Sequence, residues 1–183
     1  MKYLIMAMLV ALTASCAAKE TKAPDKISDE YKHLKKMVKS ENAVDLVRIG
    51  QTGAVFYFDG RLWSVKSESD TAIEFAARRF TNARIFIYDQ SVPLTQIYAK
   101  LAQNYDMKNA KLVESEYLTV NGSPMLYNAV QGIVGKRDVS ILSYAFSKNE
   151  RTVVAHCFIF TGMLRSENRH EIIEFLNGLA VKG

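Results

Sequence analysis

Four alternating, largely apolar segments follow one another between Lys111 and Phe160 with only turns between them. This run constrains the fold more than any other part of the chain. The segments are Lys111–Val120, Met125–Val134, Val139–Ser147 and Thr152–Phe160. They are joined by Asn121-Gly122-Ser123-Pro124, Gly135-Lys136-Arg137-Asp138 and Lys148-Asn149-Glu150-Arg151. A parallel crossover needs about a dozen residues or more, so connections this short dictate an antiparallel meander. The final segment is apolar at both odd and even positions, unlike a strand with one wet face. It is expected to lie centrally, covered on both sides.

Around this run the pattern supplies further strands and helices. Val44–Ile49 reads as a short strand. Ala54–Phe58 and Arg61–Val65 flank Asp59-Gly60, a sequence suited to a type I′ turn, and are expected to form a hairpin. Thr71–Arg79 and Arg84–Tyr88 are expected to pair across Thr81-Asn82. A helix is expected from Ser91, with Pro93 in its first turn and Leu94, Ile97, Tyr98, Leu101 and Tyr105 on one stripe. A closing helix opens at Ser166 and places Ile172, Ile173, Leu176 and Leu179 on its buried face. Near the front, Ser28 serves as N-cap of an amphipathic helix reaching about Ser40, with Asp29 and Glu30 in its first turn. The expected class is α+β: a mainly antiparallel sheet layered between helices, in one domain spanning 28–183.

The first residues point to cellular address rather than fold. Lys2 precedes an apolar run from Leu4 to Leu12, which ends in Thr13-Ala14-Ser15 before Cys16. A run of that length suits a secretory signal and falls short of the roughly 18 apolar residues of a spanning helix. These residues resemble the lipobox of bacterial lipoproteins, with Thr13 where leucine is usual. The resemblance implies cleavage after residue 15, diacylglycerol on the Cys16 thiol, and palmitate or a similar acyl group on the new N-terminus. Ala17, rather than Asp, implies sorting to the cell outer membrane, with the domain facing the periplasm. Residues 16–27 would then form the lipidated cysteine and a tether. Each buried CH₂ adds about 0.8 kcal/mol, so two or three chains anchor the protein without spanning the bilayer.

Charge and cysteine content limit the alternatives. The net charge is +5, and removal of Lys2 leaves 23 basic against 19 acidic residues among the 24 and 19 of the full chain. That bias suits weak attraction to anionic surfaces and does not by itself indicate nucleic acid. Cys157 is the sole cysteine besides Cys16. Set in an apolar run, it reads as a buried thiol acting as a small hydrophobe. His156 beside it points to the opposite face of the strand, which separates the two.

No nucleophile elbow, CxxC pair, Walker loop or dinucleotide fingerprint is present in the sequence. His170-Glu171-Ile172-Ile173-Glu174 resembles a zincin helix with the second histidine replaced by Glu174. His170 and Glu174 share a helix face at i and i+4, so they are the candidate metal or hydrolase pair, weighed against a plain surface pair. His33 and His156 are dispersed. Arg78, Arg79 and Arg84 form the candidate anion-binding group, weighed against a solvated edge. A ligand pocket between sheet and helix would be lined by Tyr98, Tyr105 and Tyr144.

Gly60-Arg61-Leu62-Trp63-Ser64-Val65, Glu116–Gly122 and Glu174-Phe175-Leu176-Asn177-Gly178-Leu179, set in this order of elements, resemble the PsbP-like group. That group includes Mog1 and DcrB-type envelope lipoproteins. The resemblance implies an α/β/α sandwich and a non-catalytic role in assembly or interaction, and it carries no site residues. Together these readings lead to the expectation of a membrane-anchored envelope lipoprotein with envelope proteins as partners, no enzyme activity and no cofactor. The alternatives are a periplasmic metal binder or hydrolase using His170 and Glu174, and a small-ligand carrier.

Overall fold

The computed structural model describes residues 34–77 and 81–181. The lipobox, Cys16, the tether, Ser28 and His33 lie outside these residues, as do Arg78 and Arg79.

The elements run β1 (Lys36–Met37), β2 (Asp45–Ile49), β3 (Ala54–Phe58), β4 (Trp63–Glu68), β5 (Ala72–Ala77), β6 (Asn82–Tyr88), α1 (Ile97–Asn104), β7 (Lys108–Val120), β8 (Ser123–Val134), β9 (Arg137–Lys148), β10 (Arg151–Phe160), α2 (Ser166–Leu176) and β11 (Leu179–Val181). The main sheet has eight strands in the order β1-β7-β8-β9-β10-β6-β5-β4, and a second sheet has three in the order β11-β3-β2.

The meander forms as its turns dictate. β7, β8, β9 and β10 pair antiparallel in succession. Two of its turns place both central residues at positive φ, at Asn121-Gly122 and at Asn149-Glu150, where the backbone twist matches that of the flanking strands. β10 lies between β9 and β6, and its residues from Thr152 to Cys157 are buried on both faces. β5 and β6 also pair as expected.

Each face of the main sheet has its own core. On one, Ile97 and Leu101 of α1 pack on Val130, Val139, Ile141, Ala145 and Val154. On the other, Ile172, Phe175 and Leu176 of α2 meet Leu142, Tyr144, Val153 and Cys157, together with Ile49 and Phe56 of the second sheet. Burying each large apolar side chain contributes about 1.5–3 kcal/mol, so these two layers fix which elements cover which face. An aromatic cluster seals the second layer. The Trp63 ring stacks on Phe175 at 3.9 Å between centroids, and Phe56 lies 4.7 Å from the same ring.

Four expectations are corrected. Ala54–Phe58 and Arg61–Val65 do not form a hairpin: β3 pairs with β2 and β11, while β4 pairs with β5 in the other sheet. Neither Asp59 nor Gly60 adopts the positive φ of a type I′ turn. Instead the Asp59 carbonyl accepts from the amides of Leu62 and Trp63, and the Asp45 carboxylate accepts from the Gly60 amide, at 2.9–3.0 Å. This tight turn hands the chain from one sheet to the other. The front helix does not extend to Ser40, because Lys36–Met37 is a strand pairing parallel to Thr119–Val120. The helix expected at Ser91 starts later, with a 3₁₀ turn over Leu94–Gln96 ahead of α1. Pro93 stays extended, and Val92 is tied to β10 by its amide donating to Thr152 Oγ1 at 2.8 Å. Leu179 belongs to β11 rather than to the closing helix, which ends at Leu176.

Candidate functional site

A small cleft of about 70 Å³, open to solvent, lies where the second sheet, the β3–β4 turn and α2 converge. Its walls come from Ser40, Asn42 and Ala43 before β2, from Tyr57 to Asp59 of β3 and its turn, from Leu62 and Trp63, and from Glu171, Glu174 and Phe175 of α2. The local sequence explains the shape. The turn after Asp59 swings Trp63 into the core at 4% exposure while leaving its neighbour Leu62 at 43%. α2 then lays Phe175 beneath Trp63 and presents Glu171 and Glu174 one turn apart at the rim. The result is an aromatic floor, one half-exposed aliphatic side chain and three carboxylates. Arg61 takes up part of that charge, since its guanidinium grips Asp59 at 2.6–3.2 Å.

His170 and Glu174 do share a face of α2, with Nε2 and Oε1 3.7 Å apart and both side chains well exposed at 76% and 49%. Among the described residues no third histidine, cysteine or carboxylate joins them as a metal-binding group. The pair is a loose surface contact beside the cleft.

A polar row centred on the buried His156 lies on the α1 face, where cross-strand register lines up polar residues. Glu74, Arg84, His156, Ser143 and Asn128 are successive partners on β5, β6, β10, β9 and β8. Arg84 pairs with Glu74 at 2.6 Å. His156 Nε2 meets the Tyr105 hydroxyl at 2.7 Å, and Phe86 stacks on the imidazole at 4.9 Å. Asn128 accepts from Ser115 at 2.8 Å. Burial pushes His156 down to about 3 and Tyr105 up to about 12. Both groups are therefore held neutral, with values far from the near-neutral range in which a general acid or base works best. His156 Nδ1 is buried without an accepted partner.

On the α2 face, Arg169 pairs with Glu114 and reaches the Tyr127 hydroxyl at 3.0 Å. The arginine beside it holds the Glu114 carboxyl below the usual range, while burial raises Tyr127 to about 12. Tyr144 donates to Asn177 Oδ1 at 3.0 Å on this same side.

The expected groupings fare unevenly against this arrangement. Arg84 is engaged with Glu74 and belongs to the polar row, while Arg78 and Arg79 lie outside the described residues. Tyr98, Tyr105 and Tyr144 do not line one pocket: Tyr98 and Tyr105 pack with the α1 layer and Tyr144 with the α2 layer, so the sheet separates them. Cys157 is fully buried on the α2 side, opposite His156, as strand alternation requires. Sequence reasoning missed the cleft, because its residues are far apart in the chain. The signal available was the pairing of Leu62-Trp63 with the Glu171–Phe175 helix segment, both of which carry the PsbP-like resemblance in part.

Comparison with solved structures places this architecture. The chain is similar to cyanobacterial PsbP (CyanoP) from Synechocystis, at 13% identity over 78% of this chain and 95% of that one, with a TM-score of 0.55. It is also similar to the Ran-binding protein Mog1p of Saccharomyces cerevisiae, at 9% identity over 75% and 94% of the two chains, with a TM-score of 0.54. No family model and no curated protein matches the sequence. At these identities the likeness concerns the fold, which is PsbP/Mog1-type.

Proposed function

We propose that this chain is an envelope lipoprotein, anchored through Cys16 to the outer membrane, whose PsbP/Mog1-type domain acts in the periplasm as a non-catalytic interaction module. The cleft between α2 and the β3–β4 turn carries this reading. It joins an aromatic floor and the half-exposed Leu62 to a carboxylate rim, and so suits a partner segment that offers an apolar side chain flanked by Lys or Arg. The neutral Tyr105–His156 pair supports a role without catalysis. The Ran-binding description of the yeast protein of this fold is consistent with the domain serving as a binding scaffold. Among the described residues no helix is long and apolar enough to cross a membrane, which fits attachment by lipid.

Two experiments test the parts separately. Radiolabelled palmitate should enter the wild-type protein and not Cys16→Ala; labelling of the variant overturns the anchor. A photocrosslinker placed at Leu62 in the native envelope should give a discrete adduct that is lost in Glu174→Lys and absent when the crosslinker sits at Val65 on β4. An adduct indifferent to both changes, or none at all, overturns the cleft as the docking site.

A further inference from the structure

Among the described residues, the most exposed large apolar side chains lie close to where the chain enters the domain. Val38 and Val44 are 72% and 73% exposed, and Leu46 is 51% exposed. Leu46 and Arg48 alternate along β2 with the buried Val47 and Ile49, so both point away from the core, on the outer face of the second sheet. Tyr57 is the direct partner of Leu46 on β3 and shares that face, and the Lys39 ammonium stands over its ring at 5.1 Å. Lys35 and Lys36, both exposed, precede this group. From Leu34 to Arg48 the cationic side chains are Lys35, Lys36, Lys39 and Arg48, against the carboxylates of Glu41 and Asp45. The Asp45 carboxylate is turned onto the Gly60 amide at 3.0 Å.

Exposed apolar side chains interleaved with Lys and Arg suit a surface that lies on an anionic bilayer. The apolar groups enter the headgroup layer and the cations meet the phosphates. We propose that the outer face of the second sheet, with Val44, Leu46, Tyr57, Lys39 and Arg48, rests on the membrane that carries the lipid anchor and takes anionic phospholipid headgroups as its ligand. This rests on the reading of Cys16 as that anchor. Leu34 follows Cys16 by 18 residues and precedes Lys39 by five. A chain of that length reaches about 60 Å at full stretch, so the bilayer stays within range of this face. Anchoring makes the contact intramolecular, and a weak affinity is then enough. The carboxylates at the rim of the neighbouring cleft oppose the attraction, so the contact should be shallow and reversible. Tyr57 also lines that cleft, which a docked domain would hold close to the membrane.

The test uses the acylated protein, purified in detergent and reconstituted into vesicles of phosphatidylethanolamine and phosphatidylglycerol. An environment-sensitive fluorophore is attached at Val44→Cys, or at Leu112→Cys as a control. Leu112 is 41% exposed, and its partner Val130 places it on the α1 face, away from the second sheet. Acylation occupies Cys16 and burial shields Cys157, so the dye reports the introduced thiol. Unchanged circular dichroism confirms that the variants fold. Quenching by spin-labelled lipid should be about threefold or more stronger at position 44 than at position 112, and it should fall in vesicles of phosphatidylcholine alone. Arg48→Glu should shift the docked population by about tenfold. Equal quenching at both positions, or none at position 44 while the protein stays with the vesicles, overturns the proposal and leaves the anchor standing. Quenching indifferent to lipid charge and to Arg48→Glu also overturns it. Protein that does not remain with the vesicles once detergent is removed overturns the anchor and this proposal together.

Discussion

The Tyr105 hydroxyl meets Nε2 of His156 at 2.7 Å beneath α1, joining the end of that helix to the middle of the central strand β10. The contact makes His156 a structural partner, and burial sets its titration. The imidazole titrates near 3 in the folded protein, against about 6.5 when unfolded. The unfolded chain therefore binds more protons between these values, and stability falls as the pH drops from about 6.5 toward 3. By pH 4 the loss from this group should reach about 3 kcal/mol. Denaturant titrations across that range should show the decline, and His156→Gln should flatten the difference between pH 7 and pH 4. A variant with the same acid sensitivity as the wild type would place its cause elsewhere.

Asn121 ties three separate segments together. Its Nδ2 donates to the carbonyls of Asn177 and Leu179 at 2.7 and 2.9 Å, and its Oδ1 accepts from the Lys39 amide at 2.9 Å. Its φ of +48° also suits the turn it occupies. Asn121→Gly keeps that backbone freedom and removes the three bonds, so it should cost about 2–4 kcal/mol. Hydrogen exchange should speed up at β1 and β11 together, although they lie at opposite ends of the described chain. Faster exchange at the β7–β8 turn alone would contradict this.

Gly178 allows the closing segment to press onto the second sheet. A Cβ at this position would stand 1.8 Å from the Tyr57 carbonyl oxygen and 3.0 Å from that of Phe175, and backbone atoms have no rotamer by which to yield. The Gly178 carbonyl also accepts from the Tyr57 amide at 2.9 Å. Gly178→Ala should destabilise by about 2–4 kcal/mol, measured as a shift in denaturant midpoint at unchanged slope. Because Phe175 precedes this contact and floors the cleft, Leu62 crosslinking should fall as well.

Cys157 should be inert in the native state. Its side chain is fully buried, and burial pushes the thiol well above its ordinary value. In Cys16→Ala, where Cys157 is the one thiol left, iodoacetamide should label the native protein negligibly at neutral pH and label it readily in denaturant. Rapid native labelling would show an opening of the α2 layer.

Much of the architecture is legible in the order of residues. The period-two runs and Asn-Gly or Asn-Glu turns specify β7 to β10 in sequence, because each pair closes over a short loop. The apolar Thr152–Phe160 segment reads as central, and it is. The stripe through Ile97 and Leu101 identifies the buried face of α1. The C-terminal part of the expected front helix misleads because apolar spacing at Leu34, Met37 and Val38 suits a helix, while the partner that makes Lys36–Met37 a strand lies more than 80 residues away at Thr119–Val120. Asp59-Gly60 misleads for a related reason, since the Asp45 carboxylate and the pull of Trp63 toward Phe175 act across elements.

The residues alone determined the meander, the two amphipathic helices and the alternation that sends His156 and Cys157 to opposite faces. These follow from backbone geometry over a few neighbouring positions. The tertiary structure alone decided which sheet receives β3 and β4, how Glu74, Arg84, His156, Ser143 and Asn128 align across five strands, and that Leu62, Trp63 and Phe175 share a cleft. Those outcomes depend on which distant surfaces exclude water together. Local periodicity marks a residue as inward-facing and leaves open which inward-facing residue it meets.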